Sequence, residues 1–361
     1  MRLIRRPEAS VPGPWPAGRR RRRAGVFAAV SAGLVTAACS SAGSYAQVEL
    51  KASTPAVSPV ASPVATGPAA PLTGLPASAG ASARSAVALD ISGRHPRELS
   101  AADVIFEEIT KPVRYIAVFQ SRQAGAAGPI AGTRPADGQI LSVLRPVIGY
   151  DGGTKSFIKV LNHTKVADLG YPAHRFPYQR GAHGLTASTQ KLREERHGPV
   201  PPELFSYRGP GSSSSDLATA GEWRPSSVTV AIPGHSTQRW TFDPGTDSWA
   251  QVSGGPPIHV ANLIIQMVRY KKVFLSRKLG RTEPSARVFG KGSAEVFSGI
   301  ASTTEHGPGG LAAKGTWSKP GLLDVTTYVD SKDFPMELQP GATWIILAPH
   351  GTRISTRQAR P

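Results

Sequence analysis

Three carboxylates interrupt apolar runs of this chain, and a guanidinium lies in a loop shortly after them. Asp90 falls within Val87-Ala88-Leu89-Asp90-Ile91, and Glu107 and Glu108 sit inside Val104-Ile105-Phe106-Glu107-Glu108-Ile109. Arg134 belongs to Gly128-Pro129-Ile130-Ala131-Gly132-Thr133-Arg134-Pro135. A charge within a strand is expensive to bury unless it is paired, so the simplest expectation is an ion pair from Asp90 or Glu107 to Arg134. The functional expectation is anion binding. A guanidinium among glycines with exposed N–H groups suits phosphate or carboxylate, and Arg114, Arg134, Arg145 and Arg180 together would hold a pyrophosphate. A second cluster, Tyr171-Pro172-Ala173-His174-Arg175-Phe176-Pro177-Tyr178-Gln179-Arg180-Gly181-Ala182-His183, reads in two ways. It is either a ligand-contacting lip with rings to stack on sugars, or a loop pinned by its own aromatics. No carboxylate completes a metal-ligand spacing with His174 and His183, so no metal site is expected.

Catalytic signatures are sparse. Ser188-Thr189-Gln190-Lys191 fits the S-x-x-K pattern of penicillin-binding enzymes, but neither S-D-N nor K-T-G follows it. There is no nucleophile elbow, Walker loop or dinucleotide fingerprint. No catalytic residue is assigned and no cofactor is implied. Trp240, Trp249, Trp317 and Trp344 recur at strand spacing, where tryptophan is more often core than a carbohydrate platform.

The single cysteine, Cys39, closes the apolar stretch Ala24 to Ala38, which follows five consecutive arginines, Arg19 to Arg23. Charged, apolar and small-residue regions in that order read as a secretory signal peptide, and a cysteine at the cleavage point is the lipid attachment site of a bacterial lipoprotein. About 15 apolar residues fall short of the roughly 20 that span a bilayer, which favours a cleaved signal over a permanent span. With Cys39 lipidated, no disulfide or thiolate metal site can form. The chain of 361 residues carries a formal charge of +18, of which residues 1–38 supply eight arginines against Glu8, leaving about +11. A basic exported protein points to anionic envelope material rather than nucleic acid, unless a high-GC genome has simply enriched arginine.

These side chains must be positioned by the elements around them. Residues 1–38 read as signal peptide and 39–71 as an Ala/Ser/Pro-rich tether reaching up to ~90 Å at about 3.1 Å per residue. An N-terminal domain follows over 72–210, a Ser/Gly-rich linker over 211–227, a C-terminal domain over 228–352 and a tail over 353–361. Short branched or aromatic runs predict strands at Ala86–Ile91, Val104–Ile109, Tyr115–Gln120 and Val143–Tyr150, and a helix over Ser188–Arg196 capped by Thr186 or Ser188. Further strands are predicted at Val228–Ile232, Arg239–Asp243, Trp249–Val252, Ala261–Val268, Ala294–Ser298, Leu322–Tyr328 and Thr343–Ala348. The expected class is α+β, with a mixed α/β N-terminal module and a mainly β C-terminal one.

Ordered segments across the mature chain carry a family resemblance. They include Pro71-Leu72-Thr73-Gly74-Leu75-Pro76, Val87-Ala88-Leu89-Asp90-Ile91, Arg114-Tyr115-Ile116-Ala117-Val118-Phe119-Gln120-Ser121 and Tyr150-Asp151-Gly152-Gly153. Gly181-Ala182-His183-Gly184-Leu185, Trp240-Thr241-Phe242-Asp243, Gly315-Thr316-Trp317-Ser318-Lys319 and Gly341-Ala342-Thr343-Trp344-Ile345 continue the series. In this order they resemble the YerB-like bacterial lipoproteins, a two-domain family of uncharacterised function. The chain departs from the pattern at Ser92-Gly93-Arg94-His95-Pro96, where Asn-His-Pro is usual, at Asp151 in place of His, and at Gly184 in place of Asn. The resemblance implies a fold and a location, not an activity. The candidate ligand-binding residues are thus Asp90, Glu107, Arg114, Arg134, Asp151, Arg180 and His183. The expected role is binding or scaffolding at the extracytoplasmic face of the cell membrane, held by an N-terminal lipid anchor, with an anionic wall polymer or an envelope protein as partner. The alternative is an enzyme that acts on phosphorylated wall precursors through Arg134, Asp90 and Glu107.

Overall fold

Branched and aromatic runs do become strands, and most of them join one sheet. The structure, a computed structural model, describes residues 67–209, 223–252, 257–276, 280–299 and 309–358. The N-terminal segment gives, in order, α1 (Ala79–Ser82), β1 (Val87–Ser92), β2 (Val104–Glu108), β3 (Arg114–Phe119), α2 (Asp137–Leu141) and β4 (Val147–Gly149). Then come α3 (Lys155–Asn162), β5 (Ala167–Asp168), β6 (Tyr178–Gly181), β7 (Gly184–Ala187) and α4 (Thr189–Glu195). The rest is strand: β8 (Pro225–Ala231), β9 (Gln238–Asp243), β10 (Ser248–Gln251), β11 (Ile258–Val260), β12 (Asn262–Ser276) and β13 (Arg281–Arg287). It closes with β14 (Gly290–Ser298), β15 (Leu311–Lys319), β16 (Thr327–Asp330), β17 (Thr343–Pro349) and β18 (Arg353–Gln358). The fold is α+β and mostly β, with a β-rich C-terminal part.

An eleven-stranded sheet runs β16-β15-β14-β12-β17-β2-β3-β1-β4-β5, with β13 paired to β12. β17 lies parallel to both β12 and β2, so the N-terminal strands have no sheet of their own but continue the C-terminal one. A five-stranded antiparallel sheet, β11-β10-β9-β8-β18, covers one face, and Trp240, Trp249 and Trp344 are fully buried with Phe297, Leu263 and Ile346 in that core. The opposite face packs Val104, Ile116, Ile264 and Ile345 against Ile140, Leu141, Leu204 and Phe205. Residues 61–361 form one compact unit, and every described strand pairing lies inside it.

Three expectations change. The run predicted as a strand over Val143–Tyr150 is extended only at β4, because a turn occupies the residues after α2. The strand expected at Leu322–Tyr328 begins at Thr327. Residues 353–358 are not a tail: β18 forms an antiparallel ladder with β8 and is exposed except at the half-buried Ile354, which is why its polar sequence hid it. The helix at 188–196 forms as α4, with Ser188 Oγ accepting from the Lys191 N–H at 3.4 Å. The expected signal peptide, Cys39 and most of the expected tether lie outside the described residues, although Ala70 is already buried, its N–H donating to Leu75 O at 2.9 Å.

Candidate functional site

Alternation along β1, β2 and β3 turns Asp90, Glu108 and Arg114 to one face of the sheet. Arg114 Nη2 stands 2.8 Å from Asp90 Oδ1 and 3.0 Å from Asp137 Oδ1, and Nη1 stands 3.2 Å from Glu108 Oε2. Asp137, the first residue of α2, also accepts from Thr133 Oγ1 at 2.8 Å and from the Arg134 N–H. Glu108 Oε1 accepts from the Ala286 N–H of β13 at 3.0 Å. All three carboxyls are fully buried and Arg114 is 3% exposed. Three carboxyls around one guanidinium cannot all be charged out of water, and burial, reinforced by Asp137, pushes Asp90 well above the usual carboxylate range. Burial also raises Glu108, against the pull of Arg114. Burial lowers the Arg114 guanidinium, but its three carboxylate neighbours reverse this and leave it raised.

Glu107 points the other way. Trp344 Nε1 donates to its Oε2 at 2.8 Å, Gln238 Nε2 to its Oε1 at 2.5 Å, and the Tyr115 ring lies edge-on to Trp344 at 5.3 Å. No cation pairs with it among the described residues. Burial lifts its carboxyl to about 7, with the two donors pulling it back.

The expected pairing of Asp90 or Glu107 with Arg134 is therefore replaced. Asp90 pairs with Arg114, Glu107 binds neutral donors, and Arg134 Nε pairs with Glu283 Oε2 of β13 at 2.6 Å. Beyond Arg134 opens a cleft of about 580 Å³, lined by Lys111, Arg114, Arg134, His235, Arg281 and Glu283 among others. Burial and the neighbouring Lys111 charge push the His235 imidazole down. The cleft lies between the β2–β3 turn, the loop at 131–134 and the β12–β13 arm, so both halves of the chain build it. Among the described residues, no group of three or more His, Cys, Asp or Glu side chains is arranged to hold a metal ion.

The remaining candidates form a separate surface group. Arg180 Nη2 is 3.9 Å from Asp151 Oδ2 and its guanidinium lies over the Tyr171 ring at 5.5 Å. His183 is exposed in the β6–β7 turn, and His174 pairs with Glu195. Tyr171 and Tyr178 stack edge-to-face at 5.7 Å, while Phe176 of the same segment is 60% exposed. Arg145 is exposed and joins neither group, so the four arginines do not converge. Sequence reasoning missed Asp137, Glu283, Lys111, Arg281 and His235. Glu108 was in view, and alternation alone separates its face from that of Glu107.

Residues 72–197 match the N-terminal domain, and residues 228–345 the C-terminal domain, of the family described as Protein of unknown function (DUF3048). The chain belongs to this YerB-like two-domain family. Its architecture is similar to that of the crystal structure of YerB protein from Bacillus subtilis, with a TM-score of 0.62 at 16% identity, covering 80% of this chain and 99% of that one. At that identity the likeness is one of fold. No curated protein matches the chain.

Proposed function

We propose that this protein is an exported lipoprotein, anchored through Cys39 at the extracytoplasmic face of the cell membrane, that binds an anionic envelope component in its cleft without turning it over. In this reading a mixed α/β N-terminal module and a β-rich module share the ligand. The cleft carries the proposal: Lys111, Arg134 and Arg281 converge there on a space of about 580 Å³, with Glu283 the acidic residue on its lining and already paired to Arg134. That size falls in the range of small-ligand sites, and guanidinium groups suit phosphate oxygens. Binding is favoured over catalysis because Asp90 and Glu107 lie on opposite faces of the sheet, both buried, and do not converge with Arg134 on a common point.

The test is the melting temperature of residues 61–361 with pyrophosphate and with poly(glycerol phosphate), each at two salt concentrations. A ligand bound only by the folded state raises it. A salt-resistant rise, lost when Lys111→Ala and Arg134→Ala are combined, is expected. No rise with either probe, or one that salt erases equally in parent and variant, rejects the cleft as a specific site.

A further inference from the structure

The arm formed by β12 and β13 carries a charge that no described carboxylate answers. Past Val268, β12 leaves its other neighbours and pairs with β13 alone. The arm is pinned at its base, where Tyr270 Oη donates to Leu347 O at 2.8 Å and accepts from the Ile109 N–H at 2.8 Å, while Ala286 and Glu283 engage Glu108 and Arg134. Along it Arg269, Lys271, Lys272, Arg281 and Arg287 are all exposed, and the one described carboxylate, Glu283, is already taken. Arg269 and Arg287 face each other directly across the ladder, with Lys271 next on that face. Like charges directly opposed destabilise a strand pair. None of the five cations has an ion-pair partner among the described residues. Lys272 and Phe274, the latter 49% exposed, alternate onto the other face of the arm, so both of its faces are presented.

We infer that the β12–β13 arm is a docking surface for a bilayer of anionic phospholipid. Headgroup phosphates answer Arg269, Lys271, Lys272 and Arg287, the four cations outside the cleft, and Phe274 supplies an aromatic face for the interfacial region, a combination that a soluble polyanion does not call for. The inference needs neither the lipid anchor nor the cleft ligand. It sets the cleft, whose wall the arm forms, against the membrane surface.

Residues 61–361 lack Cys39, so no acyl chain contributes to the test: co-sedimentation with vesicles of phosphatidylcholine, alone or mixed with phosphatidylglycerol. Binding to the mixed vesicles only is expected. Lys271→Ala with Lys272→Ala should weaken it about thirty-fold, from roughly fivefold per lysine. Phe274→Ser should leave a binding that salt removes completely. Both variants should keep the parent melting temperature and pyrophosphate response, and Lys111→Ala with Arg134→Ala should leave vesicle binding unchanged. Equal binding to both vesicle types overturns the inference, as does mixed-vesicle binding that survives the lysine changes or is lost only in the cleft variant. Competition by poly(glycerol phosphate) that is equal for parent and Phe274→Ser assigns the arm to a wall polymer instead and overturns it as well.

Discussion

Glu107 and Glu108 are neighbours in one strand, equally buried, and solve the same problem in opposite ways. Glu108 meets a guanidinium it shares with Asp90 and Asp137, and its second oxygen holds the backbone of β13. Glu107, one residue back and on the other face, meets only the N–H groups of Trp344 and Gln238 and is lifted to about 7. A buried carboxyl is tolerable with a cation or with a proton. The first choice ties distant pieces of chain together, because a charged cluster has oxygens to spare for the backbone. The second makes the packing between the two sheets sensitive to pH.

The sharpest way to break the contrast is Arg114→Met. It strands the carboxyls on the Glu108 face and should cost about 3–5 kcal/mol in chemical denaturation, with the loss deepening as pH rises because the stranded acids must then ionise. Glu107→Gln tests the other face. A folded-state pKa raised from 4.5 to about 7 means stability that is fully present below 4.5 and lost as pH rises through 7. The parent should therefore lose up to about 3 kcal/mol across that window from this group, from 1.36 kcal/mol per unit. Asp90 and Glu108, also raised, act in the same direction, so Glu107→Gln should flatten the slope in part; an unchanged slope would show that Glu107 does not titrate there. Glu283→Ala releases the arm from Arg134 and should cost about 1 kcal/mol, read as faster amide exchange in β13 ahead of the central strands. Smallest is Asp151→Ala at the exposed Arg180 pair, where a change within about 0.5 kcal/mol is expected; a larger loss would make that loop part of the clamp.

Much of the sheet was legible because β1, β2, β3 and β17 are short branched runs between turn residues, and α4 carries its own cap; of the 15-residue β12 only the apolar part up to Val268 was legible, its basic continuation and β13 being hidden by charge. Other elements stay hidden for local reasons. α3 does carry Phe157, Ile158 and Leu161 at helical spacing, but at eight residues it is too short for that period to stand out from the loops around it. β15 is Leu-Ala-Ala-Lys-Gly-Thr-Trp-Ser-Lys, a weak strand former held because β14 and β16 flank it. At the candidate site, burying Asp90 with a cation was foreseeable from cost alone. That the cation is Arg114 depends on register between β1, β2 and β3, and Asp137 and Glu283 enter through pairings no local pattern encodes.

The position of β17 has a consequence for the order of synthesis. β2 is made more than two hundred residues before the strand that fills its open edge, and β12 waits for the same partner. Until residue 349 has emerged, the chain carries two apolar edges aimed at a gap, each able to recruit a strand from another molecule. A polypeptide that stops short of Thr343 therefore loses the middle of its sheet rather than an end. It should aggregate, while one ending at Pro349 forfeits only the rim strand β18.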